Sequence, residues 1–205
     1  VLTFVYDDMQ PLTGDIVQDD PTAYGTVELL LGDSACPVLL IPGNHDVPDE
    51  LRRRLDRPPF HIGGAHRLGA WQVVQLESWY AGATNGEGRL GEAQLVELDR
   101  TLATQRELPT LVLVHHPPIV MDAAGMDALR LGDGDALMQL VGRHPQVRGI
   151  AWGHAHQALD VYLPGERRLL CAPATCMQFR PRDPGFVVDD RPPGYRVIDL
   201  QDDGG

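Results

Sequence analysis

Short apolar runs alternate along this chain with segments rich in glycine, proline and histidine. The runs are a few residues long, several contain β-branched residues, and most end in turn residues, which is the pattern of buried β-strands. Seven such runs predict strands, at residues 37–41, 71–76, 110–114, 149–152, 161–163, 169–172 and 195–200.

Helical signals occur between these runs. The clearest helix is predicted over 92–104, where leucines recur on one helical face. A second is predicted over 135–141, with an aspartate near its start and Gly142 after its end, and a third over 50–55, capped by Asp49. Because strands and helices alternate, the sequence predicts an α/β (α+β) architecture.

The bulk properties narrow the class of protein. At 205 residues the chain fits one domain, 1–205, and no linker or repeat divides it. A hydrophobic content of 43% excludes a disordered chain. No apolar run approaches the roughly 20 residues that span a bilayer, and the first ten residues lack the pattern of a secretory signal. We therefore expect a cytoplasmic protein that contacts no membrane.

Charged residues and cysteines exclude several kinds of chemistry. The net charge of −12 argues against nucleic-acid binding, which needs a basic surface. All 17 basic residues are arginine, so lysine-dependent phosphate loops and Schiff bases are excluded. The three cysteines, Cys36, Cys171 and Cys176, form too sparse a set for a disulfide framework.

Four polar clusters supply carboxylate, amide oxygen and imidazole, which are ligands of divalent transition metals. They are Thr13-Gly14-Asp15, Gly43-Asn44-His45-Asp46, His115-His116-Pro117-Pro118 and Gly153-His154-Ala155-His156. Alone, each cluster has a simpler explanation as a turn or a strand end. Three of them follow apolar runs, however, and polar residues just past strand ends commonly meet in one crevice of α/β folds. Together they favour a metal site.

The order of these clusters resembles that of the calcineurin-like metallophosphoesterases. Residues 13–20, 154–157 and 173–179 resemble, more closely, the bacterial class III 3′,5′-cyclic-AMP phosphodiesterases of that superfamily. The resemblance extends over 13–200. It implies two packed mixed β-sheets flanked by helices, a four-layer αββα sandwich with metal ions at the sheet edge.

The resemblance also implies the ligands of two divalent transition metal ions. Asp15 would bridge both ions, Asn44, His115 and His154 would complete one site, and His156 would belong to the other. Two ions roughly 3.5–4 Å apart can share a hydroxide that attacks a phosphodiester. Mixed nitrogen and oxygen ligation suits iron and manganese first, with zinc or cobalt as alternatives.

Substrate contacts are implied for Asn44, His45 and His156. His45 would contact the phosphate and act as the catalytic acid, because an imidazole that titrates near neutral pH can protonate the departing 3′ oxygen. Asp46 either orients His45 or stabilises its turn.

The first motif of the family, Asp-x-His, is missing. Asp7 and Asp8 are carboxylates without the histidine, so we do not assign them that role. Only fourteen residues precede Asp15, too few for a βαβ unit of about 30 residues. Either a segment that carries the motif is absent from these residues, or the protein is an inactive scaffold on the same fold. We expect the former, since a scaffold has little reason to retain the other clusters, and we expect the first metal site of this chain to be incomplete.

The sequence therefore predicts a metal-dependent phosphodiesterase that hydrolyses 3′,5′-cyclic AMP to 5′-AMP. An enzyme of the same class that acts on another phosphodiester or a phosphomonoester is the alternative, and the inactive scaffold is the rival from a different class. The expected partners are a cyclic nucleotide and a second copy of the chain in a homodimer. Loops such as 120–131 are expected to select the base.

Overall fold

The computed structural model describes residues 9–204, so Asp7 and Asp8 lie outside the described residues. The strands are β1 (Gln10–Leu12), β2 (Val38–Leu40), β3 (Phe60–Ile62), β4 (Gly64–Leu68), β5 (Trp71–Gln75), β6 (Thr110–Val114), β7 (Val147–Trp152), β8 (Leu159–Tyr162), β9 (Arg168–Cys171), β10 (Gln178–Phe179) and β11 (Val188–Asp189). The helices are α1 (Tyr24–Leu31), α2 (Pro48–Leu55), α3 (Glu92–Thr104), α4 (Ala124–Ala128) and α5 (Gly134–Gly142).

The first three strands form a small sheet in the order β1-β2-β3, and both of its strand pairs are parallel. On one face, Leu12, Val38 and Leu40 pack against the buried side chains of α1 and α2. Tyr24 and Leu51 are fully buried there. One face of the small sheet is therefore covered by two helices.

A larger sheet has the order β4-β5-β6-β7-β9-β8. Its two outer strands are antiparallel to their neighbours, and the four inner strands are parallel. On its outer face, Val112, Ile150 and Trp152 pack against Leu102 of α3 and Leu137 of α5. These helices cover the side of the larger sheet that faces away from the small one.

The two sheets pack face to face through a third apolar cluster. Leu39 and Ile41, from β2 and the residue just after it, meet Val73, Leu113 and Leu170 of the larger sheet. The layers therefore run helix, sheet, sheet, helix, which confirms the predicted αββα sandwich. The expectation of two mixed sheets needs one correction, because among the described residues only the larger sheet is mixed.

Six of the seven predicted strands form, and the run at 161–163 lies within β8 or just past its end. The prediction at 195–200 is wrong, since no strand forms there. Ile198 and Leu200 pack on the cluster between the sheets without joining a ladder. The Arg196 guanidinium instead donates to the carbonyl oxygens of Leu159 (2.9 Å) and Cys171 (3.1 Å).

The predicted helices form, with differences at their ends. Asp49 does not cap α2, because the helix begins one residue earlier at Pro48, which suits a first turn that needs no N–H donor. Gly142 is the last residue of α5 rather than the residue after it. Near the start of α5, the Asp133 carboxylate accepts from the backbone N–H groups of Leu90 and Gly91, so it fixes the loop before α3.

The parallel strands place the predicted site. Each of four predicted site residues lies one to four residues past the carboxyl end of a strand: Asp15 after β1, Asn44 after β2, His115 after β6 and His154 after β7. In α/β folds, ligands bind at this edge of the sheet. The fold therefore assembles at one edge residues that are far apart in sequence.

Truncating Leu102, which is fully buried between α3 and the larger sheet, should lower the free energy of unfolding of Leu102→Ala by about 2–5 kcal/mol. Val96→Ala is the matched control on the same helix, because Val96 is 62% exposed and should change stability by less than about 0.5 kcal/mol. Urea unfolding measures both, and equal effects would contradict the packing described above.

Candidate metal centre

Four of the five predicted metal ligands are in direct contact. Asn44 Oδ1 lies 2.8 Å from His154 Nδ1 and 3.1 Å from His115 Nε2. His115 Nε2 lies 3.5 Å from Asp15 Oδ1 and 3.2 Å from His154 Nδ1. The candidate ligand atoms of these four side chains therefore face one another at the sheet edge.

The imidazole nitrogens and side-chain oxygens of this cluster present lone pairs that a metal ion could bind. His115 Nδ1 lies 2.7 Å from the carbonyl oxygen of Thr13, which can only accept, so Nδ1 carries the proton and Nε2 presents a lone pair. Burial and the neighbouring imidazoles lower the pKa of His154 well below its usual value, so His154 brings no positive charge. Its buried Nε2 has no hydrogen-bond partner among the described residues. Facing nitrogen and oxygen lone pairs of this kind fit a divalent transition metal ion.

Asp15 provides the negative charge of the cluster. Burial acts to raise the pKa of its carboxyl, but His115 and the backbone N–H of His45, 3.0 Å from Oδ1, hold the pKa below its usual value. The carboxylate is therefore ionised at neutral pH. An ionised carboxylate has two oxygens that can reach two cations, whereas an imidazole offers one lone pair.

Two glycines allow the loops to close around His115. A Cβ on Gly14 would lie 2.2 Å from His115 Nδ1, and a Cβ on Gly43 would lie 2.2 Å from Asp15 Oδ1. Gly14 also has a φ of 95°, which L side chains rarely adopt. Any larger residue at either position would push the ligand atoms apart.

Three of the predicted ligands have left-handed backbone. The φ angles are 51° at Asp15, 57° at His154 and 52° at His156. Such conformations cost roughly 1–3 kcal/mol each for residues other than glycine, and they cluster at functional sites, where the surrounding structure enforces them.

Asp46 joins the two loops that carry Asp15 and Asn44. Its carboxylate accepts from the backbone N–H groups of Ile16 (3.1 Å), Val17 (3.2 Å) and Gly43 (2.8 Å), and from the Tyr24 hydroxyl (2.9 Å). Burial raises the pKa of this carboxyl, although the donors act in the opposite direction. Of the two roles considered for Asp46, these contacts match the one that stabilises the loop.

His45 lies beside the cluster and is partly exposed. Its Nδ1 lies 2.8 Å from Gln18 Nε2 and 3.2 Å from Asp19 Oδ2. Asp19 is thus the carboxylate that contacts the His45 ring. Sequence reasoning did not single it out, since nothing in the spacing separates Asp19 from Asp20.

Among the described residues, no hydrogen bond joins His156 to the other four predicted ligands. Its Nδ1 donates to the carbonyl oxygen of Met177 (2.9 Å), and its ring stacks on Phe179. Nδ1 therefore carries the proton, so Nε2 holds the lone pair. Electrostatic interactions still link His156 to Asp15 and His115.

His116 is a buried neighbour that the sequence analysis placed in a cluster but gave no role of its own. Its ring lies 4.7 Å from that of His115 and 4.6 Å from that of His154, centroid to centroid. Both ring nitrogens are already bonded, Nδ1 to the Ser78 hydroxyl (2.7 Å) and Nε2 to the Gly86 carbonyl oxygen (3.0 Å). Burial, with the adjacent His115, lowers the pKa of His116 to about 3. His116 is therefore uncharged at neutral pH, and it packs beside the cluster with both ring nitrogens hydrogen-bonded elsewhere.

The model of the calcineurin-like phosphoesterase family matches residues 8–158. A Vibrio vulnificus protein named 3′,5′-cyclic adenosine monophosphate phosphodiesterase is 36% identical over 94% of this chain and 70% of its own length. The Escherichia coli K12 protein of the same name is 34% identical over 96% of this chain and 71% of its own length. The chain belongs to the calcineurin-like phosphoesterase family, and the predicted class of metallophosphoesterase is confirmed.

A solved structure of similar fold supports the architecture. A dimetal phosphatase from Danio rerio aligns with a TM-score of 0.64 at 13% sequence identity, and the alignment covers 80% of this chain and 71% of that one. At this identity the likeness concerns the fold alone. Among the described residues, no helix is long and apolar enough to cross a membrane.

Replacing Asp46 with asparagine should loosen both ligand loops. In Asp46→Asn one acceptor oxygen becomes an NH₂ group that faces backbone N–H donors, so we expect a loss of about 1–3 kcal/mol in the free energy of unfolding. We also expect metal affinity to fall about 10- to 100-fold, as is usual when a group that supports metal ligands is removed. Urea unfolding and a metal titration measure the two effects.

Asp49→Asn is the matched control, because Asp49 lies nearby on α2 and is exposed. It should change stability by less than about 0.5 kcal/mol. If Asp46→Asn bound metal as tightly as the unchanged protein, Asp46 would not hold the ligand loops in place.

Proposed function

We propose that this chain is the catalytic domain of a phosphodiesterase that converts 3′,5′-cyclic AMP to 5′-AMP. Family membership supports a phosphoesterase, and relatives from Vibrio vulnificus, Pseudomonas aeruginosa and Escherichia coli are named for activity on this nucleotide. The relative from Synechococcus, 34% identical, is named a probable cyclic nucleotide phosphodiesterase. We propose that residues 1–205 belong to one domain.

The observation that carries the proposal is the contact of Asp15, Asn44, His115 and His154 through their ligand atoms. We assign these four residues to one divalent transition metal ion. Of the ligands of a second ion, this chain supplies Asp15 and His156. Iron and manganese suit the mixed donor set best, with zinc and cobalt as alternatives. When bound, such ions neutralise phosphate charge and acidify the attacking water.

The remaining residues position the substrate and move a proton. We assign the contacts with the phosphate to Asn44 and His156. His45 is fixed through its backbone N–H, which donates to Asp15 Oδ1, while its Nδ1 faces Asp19. Its Nε2 is then the nitrogen that protonates the 3′ oxygen as the phosphorus–oxygen bond breaks, which yields the 3′ hydroxyl of 5′-AMP.

An inactive scaffold remains the competing function, and one observation favours it. Among the described residues no hydrogen bond joins His156 to the other proposed ligands, since its Nδ1 donates to the Met177 carbonyl oxygen. The contact of Asp15, Asn44, His115 and His154 argues against the scaffold, because a protein that binds no metal does not need these side chains together. Buried polar groups without partners are destabilising, so a cluster kept without a ligand would only weaken the fold.

Two substitutions separate metal binding from proton transfer. In Asn44→Ala we expect metal affinity to fall at least tenfold, because a ligand is lost. In His45→Ala we expect metal binding to stay within about twofold, while kcat on cyclic AMP falls about 10²- to 10⁴-fold, the usual contribution of a general acid. Metal titration and steady-state assays with Mn²⁺ provide the two measurements.

His66→Ala is the matched control, since His66 lies on β4 outside the clusters and should change neither quantity. Chelation should abolish turnover, and Mn²⁺ should restore it. Full activity in both Asn44→Ala and His45→Ala would refute the site. If the metal-loaded full-length protein hydrolysed none of cyclic AMP, a 2′,3′-cyclic nucleotide and bis-p-nitrophenyl phosphate, the scaffold would be favoured.

A further inference from the structure

The hairpin of β10 and β11 lies directly beside His156. The backbone N–H of Phe179 donates to the His156 carbonyl oxygen (3.0 Å), and His156 Nδ1 donates to the Met177 carbonyl oxygen (2.9 Å). The rings of Phe179 and His156 stack, with centroids 4.9 Å apart and planes 20° apart. Backbone and side-chain contacts thus fix the hairpin to a residue that we assign to substrate binding.

One face of this hairpin is apolar. The strand register pairs Phe179 with Val188, so these two side chains share a face of the hairpin, and Met177 and Phe186 lie just outside the two strands. The rings of Phe179 and Phe186 touch, with centroids 5.6 Å apart. Gln178 points to the opposite face, where it is buried. We call the four apolar residues the ledge: Met177, Phe179, Phe186 and Val188.

The ledge is largely exposed to solvent, but contacts with α4 hold it in position. Phe186 is 49% exposed, Met177 53% and Val188 54%. The backbone N–H of Gly125 donates to the Pro184 carbonyl oxygen (3.0 Å), and a Cβ on Gly125 would lie 3.2 Å from the Phe186 ring. The ring therefore rests against α4, and part of its surface stays open. A pre-positioned ring can bind a ligand without a large ordering cost.

We propose that the ledge, through the open part of Phe186, is the platform on which the nucleobase of the substrate stacks. This inference rests on the proposed function and adds a binding surface for the base. A continuous row of rings, His156, Phe179 and Phe186, leads from the phosphate-contacting histidine to the platform. Because stacking on an aromatic side chain suits the flat surface of any base, such a platform favours purines by area rather than by hydrogen bonds.

Two competitive inhibitors of cyclic AMP hydrolysis isolate the contribution of the base. 5′-AMP carries the base, whereas ribose 5-phosphate presents the sugar and phosphate alone. In Phe186→Ala we expect the Ki of 5′-AMP and the KM of cyclic AMP to rise about tenfold, within the range measured for base stacking. The Ki of ribose 5-phosphate should rise by less than twofold. Phe186→Tyr, which keeps the ring, should retain the affinity for 5′-AMP.

Val96→Ala is the control, since Val96 is an exposed apolar residue on α3. Equal rises in both Ki values, or no change in either, would overturn the ledge assignment. So would a fall in molar mass of Phe186→Ala by light scattering, because the ledge would then bind a second copy of the chain. If the unchanged protein did not hydrolyse cyclic AMP, the proposed function would fail first. Calorimetric binding of the same two ligands to the Mn²⁺-loaded protein would then still decide the ledge.

Discussion

The candidate site depends first on the buried carboxylate of Asp46. The loops after β1 and β2 carry Asp15 and Asn44, and neither loop has a ladder of its own to hold it. Asp46 accepts from both loops at once and from Tyr24 of α1, so the loops that carry the candidate ligands are hydrogen-bonded to each other and to the helix that covers the small sheet. Burial strengthens these bonds, because a low local dielectric strengthens a hydrogen bond and makes an unpaired group costly.

Much of the larger sheet could be predicted because its inner strands are apolar on both faces. β6 is buried at every position, and such runs are readable from sequence alone. β1, β3 and β4 were missed because they are short or polar, and Pro11 lies inside β1. The predicted strand at 195–200 failed for the opposite reason, since its apolar residues Ile198 and Leu200 pack on the core while backbone pairing is limited to a one-residue bridge at Arg196. The pattern of apolar residues in a sequence indicates which side chains are buried, but it does not show which backbone segments pair as strands.

Part of the candidate site could likewise be predicted from the sequence, and part could not. Apolar runs before Asn44, His115 and His154 predicted these three residues past strand ends, whereas Asp15 joined them only through the family resemblance, because β1 was missed. The parts that could not be predicted depend on tertiary contacts. Asp19 meets His45 only because a loop folds back, and His116 is buried behind His115 because its two nitrogens find Ser78 and Gly86. The contacts that join Phe186 to Phe179 and Phe179 to His156 depend on a hairpin whose strands are two residues long.

The left-handed backbone at Asp15, His154 and His156 favours glycine, whereas the proposed metal site needs a carboxylate and two imidazoles at these positions. Glycine, or asparagine to a lesser degree, is the residue that this geometry favours. A glycine at these places would relax the main chain while it deletes a candidate ligand, so screening variants for heat resistance alone would reward loss of the proposed site. Engineering a sturdier form of this protein should therefore leave these three positions untouched and seek its gains in the outer helices instead.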